Sequence, residues 1–174
     1  YFPLRVRAGN SPPRITSTAP TVASEDVEFV YAVDAVDDDG DTILWSIDSG
    51  PEGMTVDSLG VVRWTASQAD VGSTAIVIGL NDAGGAGNTH SFSLSVSNTN
   101  DVPVAATLAD TSATEDLTFL RALSAVDEDP SDSVFTFSLT TGPDSASIDA
   151  QNRLVWTPLQ ADVGAPVLTV RVSD

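Results

Sequence analysis

The chain has 174 residues, of which 41% are hydrophobic and 6% are aromatic; 25 acidic against 7 basic residues give a formal net charge of -18. This apolar content is sufficient for a core in one large domain or two small ones. A surface this acidic repels phosphate, which excludes nucleic acid as a reasonable partner. Cysteine is absent, so disulfides and thiolate metal sites are excluded. No apolar run approaches the roughly 18 residues of a membrane span, so we predict no direct membrane insertion.

Short runs in which apolar and polar residues alternate predict β-strands along the chain. In chain order, these predicted strands are 28–36, 42–47, 60–64, 74–80 and 92–96. Segments rich in Asp, Gly, Asn and Pro separate the runs, as expected for turns, and no segment shows a capped helical repeat. Several short strands within about 90 residues predict an all-β fold of the Greek-key β-sandwich type.

The sequence contains an internal duplication. The stretch "SEDVEFVYAVDAVD" at 24–37 matches "TEDLTFLRALSAVD" at 114–127, and residues 49–72 match residues 141–164. The repeats also share a tryptophan at equivalent strand ends, Trp64 and Trp156, which favours core positions for both side chains. Self-similarity of this kind predicts a tandem repeat architecture.

The alignment extends to the beginning of the chain, where residues 1–13 match residues 91–103. The predicted organisation is therefore a last strand of a preceding repeat, one complete repeat, and a second repeat lacking its final strand: 1–9, 10–99 and 100–174. Since Tyr1 is not an initiator methionine, we expect a piece of a longer or processed chain. Two interpretations stay open: trimming from a long array, or strand donation, in which residues 1–7 complete the open repeat of another copy and assemble a filament.

Acidic residues occupy fixed places in both repeats. They are Glu25 and Glu115; Asp37, Asp38, Asp39 and Asp41 with Asp127, Glu128, Asp129 and Asp132; Asp70 and Asp162; and Asp82 and Asp174. Calcium takes six to eight oxygen ligands from carboxylates, carbonyls and amides. His90, placed in a predicted turn, is the single histidine, so the donor set favours calcium over zinc or copper. Asp and Gly also favour solvated turns, which is the alternative explanation for "DDDGD".

At these positions the sequence resembles cadherin-like repeats, especially the bacterial dystroglycan-type cadherin-like and "putative Ig" repeats of surface proteins. The matching motifs are "SED" and "TED" early in each repeat, "QAD" at 68–70 and 160–162, "NTND" at 98–101, "DED" at 127–129, and Asp174 at a strand end. "QAD" keeps only the final acid of the family's D-x-E motif, and Asn98 replaces the first aspartate of its linker motif. The resemblance covers nearly the whole chain.

The resemblance implies tandem Ig-like/cadherin-like Greek-key β-sandwich repeats with calcium as the cofactor. It implies an inter-repeat site formed by Glu25, Asp70, Asn100, Asp101, Asp127, Asp129 and Asp174. A second, weaker site would use Asn10, Asp37, Asp39 and Asp82, where the linker lacks an acid at the position of Asp101. The implied function is that of a calcium-binding, calcium-rigidified module of a bacterial-type surface adhesin or secreted modular protein. It would be extracellular or on the cell surface, with neighbouring repeats of the same chain as partners.

Other functions remain as alternatives. A carbohydrate-binding surface would use Trp45, Trp64 or Trp156 as stacking platforms, although recurrence of the latter two favours the core. For catalysis there is no phosphate-binding G-x-x-x-x-G-K loop, and His90 has no Ser/His/Asp context. We therefore predict that the chain is not an enzyme.

Overall fold

The structure is a computed structural model that describes residues 9–129, 131, 133–164 and 166–174. The chain divides into two compact units, unit 1 at Tyr1–Thr99 and unit 2 at Asn100–Asp174. The predicted strand at 1–7 lies outside the described residues. Within the described ranges, no helix has the length and apolar character needed to cross a bilayer.

Unit 1 is built from short strands and one long hairpin. Its strands are β1 Arg14–Ile15, β2 Val22–Ser24, β3 Glu28–Ala32, β4 Ala35–Val36, β5 Ile43–Ser49, β6 Thr55–Val56, β7 Val61–Thr65, β8 Gly72–Asp82 and β9 Gly87–Ser97. They form a four-stranded sheet in the order β2-β9-β8-β5, a three-stranded sheet β3-β7-β6, and the pair β1-β4. The β2–β9 pair is parallel, whereas β9 runs antiparallel to β8 along nearly its whole length.

The core of unit 1 follows from the period of two in its strands. In β3, Phe29 and Tyr31 are buried while the residues before and after each of them are exposed. The reason is that successive side chains of a strand point to opposite faces of a sheet. Ile76, Ile78 and Leu94 from β8 and β9 belong to the same buried cluster and are fully inaccessible. Unit 1 is thus a sandwich whose inner faces carry the predicted apolar residues.

Unit 2 repeats most of these elements. Its strands are β10 Val104–Ala105, β11 Phe119–Ala122, β12 Ala125–Val126, β13 Thr136–Thr141, β14 Ser147–Ile148, β15 Arg153–Trp156 and β16 Thr169–Ser173. They form a three-stranded sheet β11-β15-β14 and the pairs β10-β12 and β13-β16. The described part of unit 2 has no counterparts of β2 and β9.

The predicted all-β fold with its Greek-key sandwich is confirmed. Four of the five predicted strands overlap one observed strand each, whereas the predicted strand 28–36 is divided into β3 and β4, which belong to different sheets. The core placement of Trp64 and Trp156 is also confirmed, since both are nearly inaccessible. The prediction of a turn at His90 was wrong, because this residue lies within β9. The Gly-rich segment before it forms a shorter turn than the sequence suggested, and β9 begins at Gly87.

Two pairs of equivalent residues adopt left-handed backbone conformations. Asp26 and Asp116 have φ of 59° and 61°, and Gly60 and Asn152 have φ of 79° and 54°. Asp, Asn and Gly tolerate this region better than other residues. The aspartate of "SED" and "TED" therefore has a backbone reason for its recurrence, independent of any ligand.

Candidate metal centre

Five predicted ligands lie in unit 2, and the structure joins them by hydrogen bonds. The Asn100 side-chain amide donates to Asp174 Oδ2 at 2.8 Å, and the Asp101 N–H donates to Asp129 Oδ2 at 2.7 Å. The Asp129 N–H in turn donates to Asp127 Oδ1 at 2.9 Å. Carboxylate oxygens of Asp101 and Asp129 lie within 4.8 Å of each other. We call these five residues the unit 2 acidic cluster.

The unit 2 acidic cluster contains buried carboxylate oxygen that the described protein atoms do not satisfy. Asp129 is 2% exposed, and Asp127 Oδ2 is buried without a hydrogen-bond partner in the described part of the chain. Burying a charge costs free energy unless it is paired or binds a metal. The ion pairs found among the described residues use the carboxylates of Asp38, Glu28 and Asp149, none of which belongs to this cluster.

Unit 1 contains an equivalent arrangement, which we call the unit 1 acidic cluster. The Asn10 side-chain amide donates to Asp82 Oδ2 at 2.9 Å, and the Ser11 N–H donates to Asp39 Oδ2 at 2.7 Å. The Asp39 N–H donates to Asp37 Oδ1 at 2.9 Å. Asp37 Oδ2 is buried without a hydrogen-bond partner among the described residues, as Asp127 Oδ2 is in unit 2. The geometry therefore occurs twice, with the same residue types at every position but that of Ser11 and Asp101.

One position distinguishes the two clusters. Ser11 and Asp101 both donate a backbone N–H to the second aspartate of the loop, but only Asp101 adds a carboxylate. In both loops the first aspartate accepts the backbone N–H of the second, and in unit 1 Asp37 Oδ1 also accepts the N–H of Asp41. The weaker binding expected for the unit 1 acidic cluster stays a prediction that rests on this difference.

Glu25 is the predicted ligand most deeply buried in unit 1, with no accessible surface. Its Oε1 accepts the Thr99 N–H at 2.6 Å, and its own N–H donates to Ser97 O at 3.1 Å. The equivalent residue in unit 2, Glu115, is exposed. Glu25 thus fixes the last residue of unit 1. Sequence reasoning missed Thr99, because a backbone N–H contact leaves no signal in residue type.

Asp70 has a local structural role. Its Oδ2 accepts hydrogen bonds from the Ser67 N–H at 2.9 Å and the Ser67 hydroxyl at 2.8 Å. These contacts cap the 3₁₀ turn Gln68–Asp70. In unit 2, Asp162 Oδ2 accepts the Leu159 N–H at 2.9 Å in the same way. The recurrence of "QAD" therefore has a capping explanation, and ligation by Asp70 stays a prediction.

The residues considered for other functions occupy mainly structural positions. Trp64 and Trp156 are buried, so neither presents a free ring face for stacking on a sugar, and Trp45 is half-buried. His90 Nε2 lies 3.4 Å from the Tyr31 hydroxyl, and burial lowers the pKa of this imidazole. Among the described residues, His90 packs against the aromatic rings of Tyr31 and Phe92. Absence of enzymatic activity stays a prediction.

A family model described as "Putative Ig domain" matches residues 12–97. A search of curated proteins found no significant match. The solved structures that resemble the chain include human protocadherin-24 EC1-2, at 18% identity and TM-score 0.59 over 94% of this chain and 87% of that one. Drosophila N-cadherin EC1-4 matches at 15% identity and TM-score 0.55, over 94% of this chain and 49% of that one.

An endo-fucoidan hydrolase of glycoside hydrolase family 107 also aligns, at 21% identity and TM-score 0.46 over 94% of this chain. The chain spans only 27% of the length of that enzyme, and the likeness carries no functional argument. Together, the family model and the two cadherin structures confirm the predicted resemblance to cadherin-like and Ig-like repeats.

Proposed function

We propose, from the premise that residues 12–97 carry a domain of the "Putative Ig domain" family, that the chain is a calcium-binding repeat module. It would act as a calcium-rigidified spacer in a surface adhesin or secreted modular protein of bacterial type. Its place would be extracellular or at the cell surface, with tandem repeats of the same chain as its neighbours. The repeat boundaries proposed are 10–99 and 100–174.

The observation that carries this proposal is the unsatisfied carboxylate oxygen in each acidic cluster. Asp37 Oδ2 and Asp127 Oδ2 are buried at equivalent positions, and neither has a hydrogen-bond partner among the described residues. Buried polar atoms are usually satisfied by protein, water or an ion. Oxygen donors that converge without nitrogen or sulfur ligands suit calcium, which accepts flexible coordination.

Chain continuity supports a shared role for Glu25 and the unit 2 acidic cluster. Glu25 holds the N–H of Thr99, and Asn100 and Asp101 are the next two residues of the chain. In the proposed site, Glu25 and Asp70 contribute to the same ion as Asn100, Asp101, Asp127, Asp129 and Asp174. The ion would cancel repulsion among carboxylates and restrict bending of the segment that joins the repeats.

The proposed extracellular location indicates the affinity range to test. Extracellular calcium modules typically bind at about 10⁻⁴–10⁻³ M. At 10 mM calcium, a single site in that range would raise the free energy of unfolding by about 1.4–2.7 kcal/mol. This stabilisation is large enough to detect as a shift of the melting temperature.

The test is calcium calorimetry combined with thermal melts in EDTA and in millimolar calcium, on wild type, Asp101→Ala and Ser11→Ala. We expect calcium to bind and to raise the melting temperature of wild type. Asp101→Ala should lose most of this shift, because it removes a carboxylate from the unit 2 acidic cluster. Ser11→Ala is the matched control, since it keeps the backbone N–H at the equivalent position and removes no carboxylate.

Two further variants separate ligand loss from misfolding. Asp127→Asn and Asp37→Asn keep the shape of the side chain and its hydrogen-bond acceptor while removing charge. Both should fold, with Asp127→Asn reducing the calcium shift more than Asp37→Asn. A wild-type melting temperature that is the same in EDTA and in calcium, with no heat of binding, would overturn the proposal.

A further inference from the structure

Three rings pack together between β3 and β9 of unit 1, and one of them is the imidazole of His90. The centroid of the Tyr31 ring lies 6.2 Å from that of His90 and 5.8 Å from that of Phe92. The His90 and Phe92 rings are 5.4 Å apart at an interplanar angle of 35°. Tyr31 is buried and His90 is half-buried. A titratable ring therefore takes part in the packing between two strands of different sheets.

Hydrogen bonds connect this imidazole to the segment that follows β1. The Tyr31 hydroxyl lies 3.4 Å from His90 Nε2 and 2.8 Å from Ser17 Oγ. Ser17 Oγ also accepts the Asp34 N–H at 2.9 Å. A backbone N–H can only donate, whereas a hydroxyl both donates and accepts. With a neutral imidazole whose Nε2 is an acceptor, all the donors of this chain point toward His90.

Protonation would reverse the chain, because Nε2 then becomes a donor. Tyr31 would have to donate to Ser17 Oγ, and Ser17 would have to donate to Asp34 O, which lies 3.4 Å from Ser17 Oγ. That carbonyl oxygen already accepts the N–H groups of Thr16 at 2.8 Å and Ser17 at 3.3 Å. The reversed chain thus ends in a long hydrogen bond to an oxygen that is already used twice, which favours the neutral imidazole.

The contacts of this imidazole are with neutral groups. On β8 its cross-strand partner is Ile78, and from β3 it meets the Tyr31 hydroxyl. Asp34 is exposed and takes part through its backbone. Arg14 of β1 and Asp38 after β4 form an exposed ion pair with each other at 3.5 Å. Among the described residues, none of these contacts brings a carboxylate to the imidazole.

Burial lowers the pKa of the His90 imidazole, since removal from water disfavours the charged form. A group whose folded pKa lies below its unfolded value, about 6.5 for histidine, contributes stability above the unfolded value. This stability is lost as pH falls from there through the folded pKa, because the unfolded chain binds the proton first. Attraction of a cation to the ring faces of Tyr31 and Phe92 acts in the opposite direction, so a measured titration distinguishes the two effects.

We propose that His90 is a proton-sensitive switch in unit 1. With a neutral imidazole, the chain of donors from Asp34 holds the segment after β1 against the sandwich. With an imidazolium, the chain reverses and this attachment weakens, so unit 1 is less stable in mildly acidic solution than at neutral pH. The switch does not depend on calcium. The equivalent of Tyr31 in unit 2 is Arg121, so the tyrosine hydroxyl of the chain is not repeated there.

The first test is an NMR titration of the whole chain in EDTA, from about pH 7.5 to about pH 5. His90 is the single histidine, so one imidazole can be followed in the folded chain and again in urea. We expect a lower midpoint in the folded chain. The Asp34 N–H resonance should shift with the same midpoint, since its acceptor, Ser17 Oγ, changes its own partner. An equal or higher midpoint, or an Asp34 N–H that does not follow His90, would overturn the proposal.

Two variants test the connecting hydroxyl groups. Tyr31→Phe removes the hydroxyl between Ser17 and His90, and Ser17→Ala removes the next hydroxyl of the chain. In both variants His90 should still titrate, while the Asp34 N–H should no longer follow it. Ser17→Ala leaves the buried Tyr31 unchanged, so it serves if Tyr31→Phe folds poorly. An Asp34 N–H that still follows His90 in Ser17→Ala would contradict the chain.

Urea unfolding at several pH values measures the effect on stability. Between neutral and mildly acidic pH, the ratio of folded to unfolded chain should fall toward the factor by which the two states differ in proton affinity. His90→Gln keeps a side-chain acceptor for the Tyr31 hydroxyl but does not titrate, so it should lose less stability over the same range. Equal losses in wild type and His90→Gln would show that His90 is not the switch.

Discussion

Units 1 and 2 share one sequence pattern, but equivalent segments of the two units do not always form the same secondary structure. The acidic clusters adopt the same hydrogen bonds in both units: the asparagine amide donates to the aspartate at the strand end, and the N–H of the second loop aspartate donates to the first. By contrast, "VAS" at 22–24 is a strand, while "SAT" at 112–114 is not. The clusters depend on loop contacts that each unit supplies for itself, whereas the strand depends on a distant partner, β9. The comparison teaches that a repeated motif repeats its structure only when its long-range partner is also present.

The largest expected difference between equivalent residues is at Glu25 and Glu115. Glu25→Ala removes the acceptor of the Thr99 N–H and leaves a void at a fully buried position, so it should lower the free energy of unfolding by about 2–4 kcal/mol. Glu115→Ala, at an exposed position, should change it by less than about 0.5 kcal/mol. Urea unfolding monitored by tryptophan fluorescence measures both. Equal effects would mean that the two glutamates have the same role.

The next comparison exchanges residues that share a left-handed backbone. A Cβ at Gly60 would lie 2.8 Å from the Trp45 ring, so Gly60→Asn should destabilise the chain by about 1–3 kcal/mol through overpacking. The equivalent Asn152 already has a Cβ, and Phe137 replaces the tryptophan in unit 2. Asn152→Gly should therefore cost less than Gly60→Asn in the same denaturation experiment. A cost of Gly60→Asn no larger than that of Asn152→Gly would contradict the predicted clash with the Trp45 ring.

The smallest expected effects concern Asp57 and Asp149, which accept backbone N–H groups in equivalent turns. A hydrogen bond from the Arg153 side chain, together with backbone N–H groups, lowers the pKa of Asp149 from its ordinary value. Backbone N–H groups from Val61 and Leu59 lower the pKa of Asp57. A carboxyl whose folded pKa is depressed stabilises the fold above its unfolded pKa, and this stabilisation is lost as pH falls through the folded pKa.

Stability should therefore decrease below about pH 4, and Asp149→Asn and Asp57→Asn should each make that decrease shallower. The change should be larger for Asp149→Asn, because only Asp149 has a side-chain hydrogen bond from arginine among these contacts. Melting temperatures between pH 2.5 and pH 7 measure the slopes. Parallel slopes for both variants and wild type would contradict this assignment of the pKa shifts.

Much of the fold was predictable because the strand signal is local. The alternation that buries Phe29 and Tyr31 in β3 is visible in residue order, and the duplication shows that Trp64 and Trp156 occupy equivalent core positions. The roles of Asp26 and Asp70 were less predictable. Asp26 has a left-handed φ, and Asp70 accepts the Ser67 N–H. Either structural role explains why an acid recurs at these positions as well as metal ligation does.

The sequence by itself determined the all-β class, the duplication and the oxygen-rich donor set, since each depends on residue type and spacing along the chain. The tertiary structure alone decided which carboxylates are buried and which backbone groups hold them. Glu25 and Glu115 have the same sequence context, yet only Glu25 is buried and holds Thr99. The physical reason is that burial and hydrogen bonding depend on chain segments distant in sequence, and in unit 1 Ser97 at the end of β9 and Thr99 after it are the hydrogen-bond partners of Glu25.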